Sequence, residues 1–417
     1  MVNQQQSNKV LTFILSSALI LFYAADGINK YMYFRTASLD EGGDPVAESG
    51  SISIYFRLLY ELIFIFIIYK LYDKERGKGL LLLGGLLMSF LIGEFTFMLN
   101  YPVLDYKLFY HITFFNKYTF VFIVYYAIKD IIDDQIALDR VIRVLEIIYL
   151  INSITILVGV FTQIELFRSY PLYERFGYDG MIASINEATL YYIIGISLLY
   201  FRYFTNKKGL AILLICIAAS LMMGAKAIYL YLFLLLLYHL IFKANLFQKI
   251  FSVGALIVGI VAAIPVLLSE KYSFLFDMFI RQYENSGFLS MISSGRSDTI
   301  ITKISDNLAL WTLPNFLFGG TDQLKFYIEM DFFDAFLFFG FIGCFLYLIL
   351  YFTTIFRGMN RYSFRLFFCV VYFIIAFMAG HFFASAVNAL YINLVLLYIY
   401  GQERNGKSLI RIQGVEK

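Results

Sequence analysis

The sequence predicts an all-α, polytopic integral membrane protein of about twelve transmembrane helices, with a large outward loop carrying short helices. Three observations lead there. Of the 417 residues, 60% are hydrophobic and 15% charged, against about 45–50% and roughly 25% in soluble domains. The mean hydropathy is +0.74. Lysine and arginine gather in short segments between apolar runs. This balance excludes an ordinary water-soluble enzyme and a disordered chain. A net charge of +3 with no polybasic domain excludes a nucleic-acid binder.

The first apolar run, Val10–Phe22, has no small-residue cleavage site after it and reads as a span rather than a signal peptide. Spans are expected near 9–27, 51–72, 80–99, 112–131, 142–162, 187–204, 209–224, 226–242, 250–268, 332–356, 366–384 and 387–401. Basic residues then set the orientation. Lys70, Lys74, Arg76 and Lys78 begin an alternating series. It continues through Lys129, Arg140 and Arg143; Arg202, Lys207 and Lys208; Lys243 and Lys249; and Arg357, Arg361 and Arg365. The tail at 402–417 adds Arg404, Lys407, Arg411 and Lys417. Positive-inside distribution places both termini in the cytoplasm, with the chain 1–417 forming one transmembrane domain.

Three outward loops follow, at 28–50, 163–187 and 269–331. The last is too long for a connector, and function is expected where such a loop meets the helices. Within it Ile301, Ile304, Leu308 and Trp311 recur at helical spacing. They read either as an amphipathic helix on the outer membrane face, with Trp311 at the interface, or as a loop helix packed on its own domain. The cysteines Cys216, Cys344 and Cys369 lie in apolar runs, and His111, His239 and His381 are scattered. No disulfide, metal site or cofactor is expected from them.

Charges inside or beside spans are costly and point to function. Arg57 and Glu61 stand at i, i+4 and can pair with each other. Glu94 reads as a solvated helix end. Lys226 follows the tight turn Met223-Gly224-Ala225, where it either snorkels or meets an anionic head group. In the second loop, Arg175-Phe176-Gly177-Tyr178-Asp179-Gly180 precedes Asn186-Glu187. Arg175 suits a phosphate and Asn186 a sugar hydroxyl, whereas Glu187 also satisfies a helix dipole. The third loop carries Arg281 and Ser293-Ser294-Gly295-Arg296, then Asn315-Phe316-Leu317-Phe318-Gly319-Gly320. It ends in Glu329-Met330-Asp331-Phe332-Phe333-Asp334, followed by Gly340 and Gly343. Acids at a helix start are ordinary capping, but three at the mouth of a membrane cavity exceed that need.

These motifs, in order over roughly residues 165–390, resemble those of O-antigen polymerases (Wzy-type), of the O-antigen polymerase/ligase superfamily. The ligase branch has a His-Asn pair where this chain has Glu329-Met330, which favours polymerase. The resemblance implies a GT-C-type architecture in the bacterial cytoplasmic (inner) membrane, with the site facing the periplasm or cell exterior. It implies a metal-independent, inverting glycosyltransferase acting on undecaprenyl-diphosphate-linked oligosaccharides in contact with membrane lipid. A polysaccharide co-polymerase and a flippase are its implied partners. Arg296 and Arg175, then Lys226 and Arg281, would bind diphosphate. Glu329 or Asp331 would be the base, with Asp334 and Glu187 orienting and Asn186 and Glu187 holding the acceptor. Two other readings stay open: an O-antigen ligase, and a transporter or lipid-linked oligosaccharide flippase.

Overall fold

The computed structural model describes residues 2–36, 38–39, 45–46, 52–101, 108–170, 176–245, 296–359 and 363–405, with a few isolated positions between 247 and 290. The expected span at 250–268, the tail beyond 405, part of the loop at 28–50 and most of 269–295 fall outside the described residues, apart from those isolated positions. Arg175 and Arg281 fall outside them as well.

What is described is almost wholly helical. The long helices are α1 (Val2–Thr36), α2 (Ile52–Lys70), α3 (Lys74–Asn100), α4 (Leu108–Ile128), α5 (Gln135–Thr162), α6 (Ile185–Asn206), α7 (Leu210–Leu221) and α8 (Lys226–Phe242). Three short helices follow, α9 (Arg296–Leu308), α10 (Leu313–Phe318) and α11 (Gln323–Phe326). The bundle closes with α12 (Asp331–Thr353), α13 (Phe364–Met378) and α14 (Ala386–Arg404). Five of these are long and apolar enough to cross a membrane: α1 from Asn8, α2, α3, α5 and α12. A two-residue antiparallel ladder pairs Ser38 with Val46 and Leu39 with Pro45.

Several boundaries differ from the hydropathy reading, for local reasons. Helix α1 continues to Thr36, so residues 28–36 are helix rather than loop. Nothing breaks it, since Gly27 lies against Met181, where a Cβ would meet the Met181 side chain. Helix α3 starts at Lys74, because the Asp73 carboxylate accepts the Arg76 N–H at 2.7 Å. Helix α5 starts at Gln135, because Asp134 accepts the Ala137 N–H at 2.9 Å and Leu138, Val141 and Ile142 are buried. The polar starts of both helices were invisible to a hydropathy window.

The core is aromatic. Tyr118, Phe338, Phe339 and Tyr347 pack face and edge at centroid distances of 5.3–5.8 Å where α4 meets α12. Ring quadrupoles favour such offset and edge arrangements. Helix α14 lies among α4, α5 and α6 and is buried along nearly its whole length.

Candidate functional site

The large loop is built onto α3 and α12 by glycines and one asparagine. Asn315, fully buried, donates to the Gly93 carbonyl at 3.1 Å, to Thr96 Oγ1 at 3.0 Å and to the Gly319 carbonyl at 2.8 Å. Its Oδ1 accepts from the Thr312 N–H and hydroxyl, closing a capping box at the start of α10. Gly340 has φ +63° and interrupts α12. A Cβ there would strike the Gly319 nitrogen, and one at Gly319 would strike the Phe338 carbonyl. The Asn315–Gly320 motif is therefore a docking element, in which α10 presses into the break of α12. Trp311 is buried, donates Nε1–H to the Gly320 carbonyl at 2.7 Å and packs with Phe97, Phe326 and Met330. It belongs to the loop's own core.

At the head of α12 the three acids divide. Asp331 Oδ2 accepts from the N–H groups of Phe382 and Phe383 at 2.8 and 3.2 Å. Asp334 accepts the N–H of Ile328 at 2.8 Å and of Met330 at 2.9 Å. Both are 1% exposed and hold backbone in place. Glu329 differs, for its side chain is 45% exposed and takes a 2.7 Å contact from Arg296 Nη2, itself 22% exposed. Asp334 thus clamps the turn that presents Glu329.

The loop between α13 and α14 closes on this pair. Gly380 lies so close to Glu329 that a Cβ would fall 2.8 Å from its Cα. Glu329 and His381 both have positive φ, +63° and +71°, a costly backbone state that persists where the surroundings over-determine it. His381 Nδ1 lies 3.5 Å from the Tyr327 hydroxyl. Burial lowers the imidazole below its ordinary value; the Glu187 and Glu329 carboxylates oppose that, and Lys117 and Arg296 add to it. Burial also raises the Tyr327 phenol well above its usual range, helped by the nearby carboxylates.

Among the expected residues, the structure pairs Arg296 with Glu329, and the charges of both, with that of Glu187, reach His381. Asn186 adjoins Glu187 in the first turn of α6, whose Glu187 carbonyl accepts from Asn388 at 3.1 Å. Lys226 heads α8 on a turn that packs elsewhere: a Cβ on Gly224 would meet the Phe176 carbonyl, and Tyr178 N–H donates to the Met222 carbonyl at 3.0 Å. The Phe176–Gly180 motif is a second docking element. Asp179 pairs with Lys30 of α1, and the Lys30 ammonium also reaches the Gly180 carbonyl at 2.8 Å. Burial pushes the Asp179 carboxyl up to about 6, against the pull of Lys30.

Two pairings differ from the sequence reading. Arg57 meets Asp26 of α1 at 3.2 Å, and Glu61 accepts from Asn116 of α4 at 2.7 Å. A neighbouring helix offers buried partners that an i, i+4 rule does not see. Glu94 is 1% exposed, with His111 Nδ1 3.5 Å away, so it is no solvated helix end. Sequence reasoning missed Asp26, Lys30, Lys117 and His381. The signal for the first three was present: each is a charge set within an apolar helix. Among the described residues no cluster of His, Cys, Asp and Glu is arranged to hold a metal ion. Comparison with protein-family models, with curated proteins and with solved structures returned no match.

Proposed function

We propose that this chain is a membrane-embedded polymerase of lipid-linked glycans. In this reading it spans the bacterial cytoplasmic membrane twelve times, with both termini inside and Glu329 facing outward. It transfers a growing chain from undecaprenyl diphosphate to the non-reducing end of a new lipid-linked repeat unit. The observation that carries it is the Arg296–Glu329 pair at 2.7 Å, part-exposed beside the half-buried polar groups of His381, Tyr327 and Glu187. Glu329 takes the proton of the acceptor hydroxyl. The acceptor oxygen attacks the anomeric carbon, inverting it, as the bond to the diphosphate oxygen breaks. Charge developing on the leaving diphosphate is met by Arg296. In the resting molecule the two neutralise each other. An arriving diphosphate competes for Arg296 and releases Glu329, which couples substrate binding to the base. Asp331 and Asp334 serve as positioning residues.

A flippase is the second reading, favoured by the charges within helices, Asp26 with Arg57 and Lys117. One assay separates the two. Purified protein is incubated with synthetic lipid-diphosphate repeat units, without nucleotide sugar or added metal. A product ladder that Arg296→Ala abolishes, at unchanged protein level, supports the polymerase. Intact substrate with wild-type protein overturns it and leaves transport.

A further inference from the structure

At the other end of α12 lies a second site of opposite character. Twenty-three residues of α12 put it about 35 Å from Glu329. Arg365, in the first turn of α13, is 2% exposed. Its Nη2 donates to the Arg357 carbonyl at 2.5 Å and leans on the Ile355 carbonyl at 3.4 Å. Its Nε and Nη1 have no hydrogen-bond partner among the described residues. The guanidinium carbon stands 4.6 Å from the centre of the Tyr400 ring, which holds a cation but takes no N–H in the plane of the fork. The Glu403 carboxylate lies near enough to Arg365 to offset part of its charge but is not among the hydrogen-bond partners of its guanidinium.

Arg365 lines an open crevice with Tyr125, Thr354, Arg357, Asn393 and Tyr400. Arg357 is 51% exposed at the rim, where its Nη1 is ion-paired with Glu75, so the crevice opens to water. A buried guanidinium cannot shed its charge, and leaving its donors unmade is costly. We propose that this crevice binds one phosphate group, either of an anionic lipid headgroup or of free inorganic phosphate. Nε and Nη1 of Arg365 are the inner donors, and Arg357, which the anion draws from Glu75, is the outer arm. The anion supplies the acceptors that the fold leaves out and ties the start of α13 to the ends of α12 and α14.

Full-length protein in detergent would be unfolded thermally in sodium phosphate and in sodium chloride of matched ionic strength. The same would be done in bilayer discs of phosphatidylglycerol and of phosphatidylcholine. Phosphate or phosphatidylglycerol is expected to raise the wild-type Tm by several degrees. A shift confined to phosphatidylglycerol assigns the headgroup, and one confined to phosphate assigns the free ion. Equal Tm values in all four media overturn the proposal and leave a water-filled crevice. Arg365→Gln is expected to abolish the shift, and a folded R365Q that keeps it overturns the proposal too. Should R365Q not fold, the rim variant Arg357→Gln decides, for it must at least halve the shift. An unchanged shift in R357Q is then the overturning result.

Discussion

The backbone of Glu329 rests directly on Gly380, and His381, the next residue, shares with Glu329 a positive φ. This contact sets where the exposed carboxylate sits. Replacing Gly380 by Ala forces a Cβ to within 2.8 Å of the Glu329 Cα, so one loop must shift. Displacement near 1 Å at a reacting group costs about 100-fold in rate. We expect G380A to lose glycan ladder by about that factor while protein level and elution profile are retained. A ladder of normal intensity in folded G380A would remove Glu329 from the chemistry.

The acids at the head of α12 give a sharper contrast. Asp334 alone satisfies two buried N–H groups, and an unsatisfied buried donor costs about 1–3 kcal/mol. Asp334→Ala and Asp331→Ala should therefore lower the Tm and the yield of folded protein. Glu329→Gln keeps size and exposure, so it should fold as wild type yet form no ladder. If E329Q is active and D331N is dead at wild-type stability, Asp331 is the base instead.

Much of the fold was legible because apolar runs must become helices where backbone groups have no water to bond. The polar motifs were legible as positions and not as roles. Asn315, Gly319, Gly320 and Gly340 stood out by type, but their use in docking α10 on α12 depends on which helices meet. The Asp179–Lys30 pair joins residues 149 apart in sequence, beyond any periodicity. The basic residues were misleading in part. Arg76 and Arg365 counted as free loop charges for orientation, but both are buried; Arg76 is bonded to Asp73, Asp130 and two backbone carbonyls. A charge at a helix end reads the same on a page whether it faces water or its neighbours.

The glycine docking yields its own test. Gly340 pairs a left-handed φ with no room for a Cβ. The backbone strain alone costs about 1–3 kcal/mol, and the clash with Gly319 adds to it. Gly340→Ala should lower the Tm far more than Gly84→Ala, where a Cβ would meet nothing within 4 Å. Equal Tm values for the two variants would mean that α10 does not insert at the break.

The Lys30–Asp179 pair predicts a pH dependence. Asp179 sits at about 6 against an ordinary 3.8, with burial as the main cause and Lys30 opposing. A carboxyl raised in the folded state binds its proton more tightly there than in the unfolded chain. Its contribution to stability is complete below about pH 4 and is lost as pH rises through about 6. Above that range the ionised Asp179 is tolerated because Lys30 lies beside it, with side chains 1% and 7% exposed. Removing one partner of such a pair typically costs about 3–5 kcal/mol, whereas replacing both by apolar groups is often neutral. Asp179→Asn should thus lower the Tm at pH 7 and flatten its slope between pH 4 and 6. The double variant Lys30→Met with Asp179→Leu should recover most of the loss. Thermal unfolding of the three proteins from pH 4 to 8 measures both effects. A D179N protein as stable as wild type at pH 7 would show that the pair does not hold α1 to the 176–180 loop.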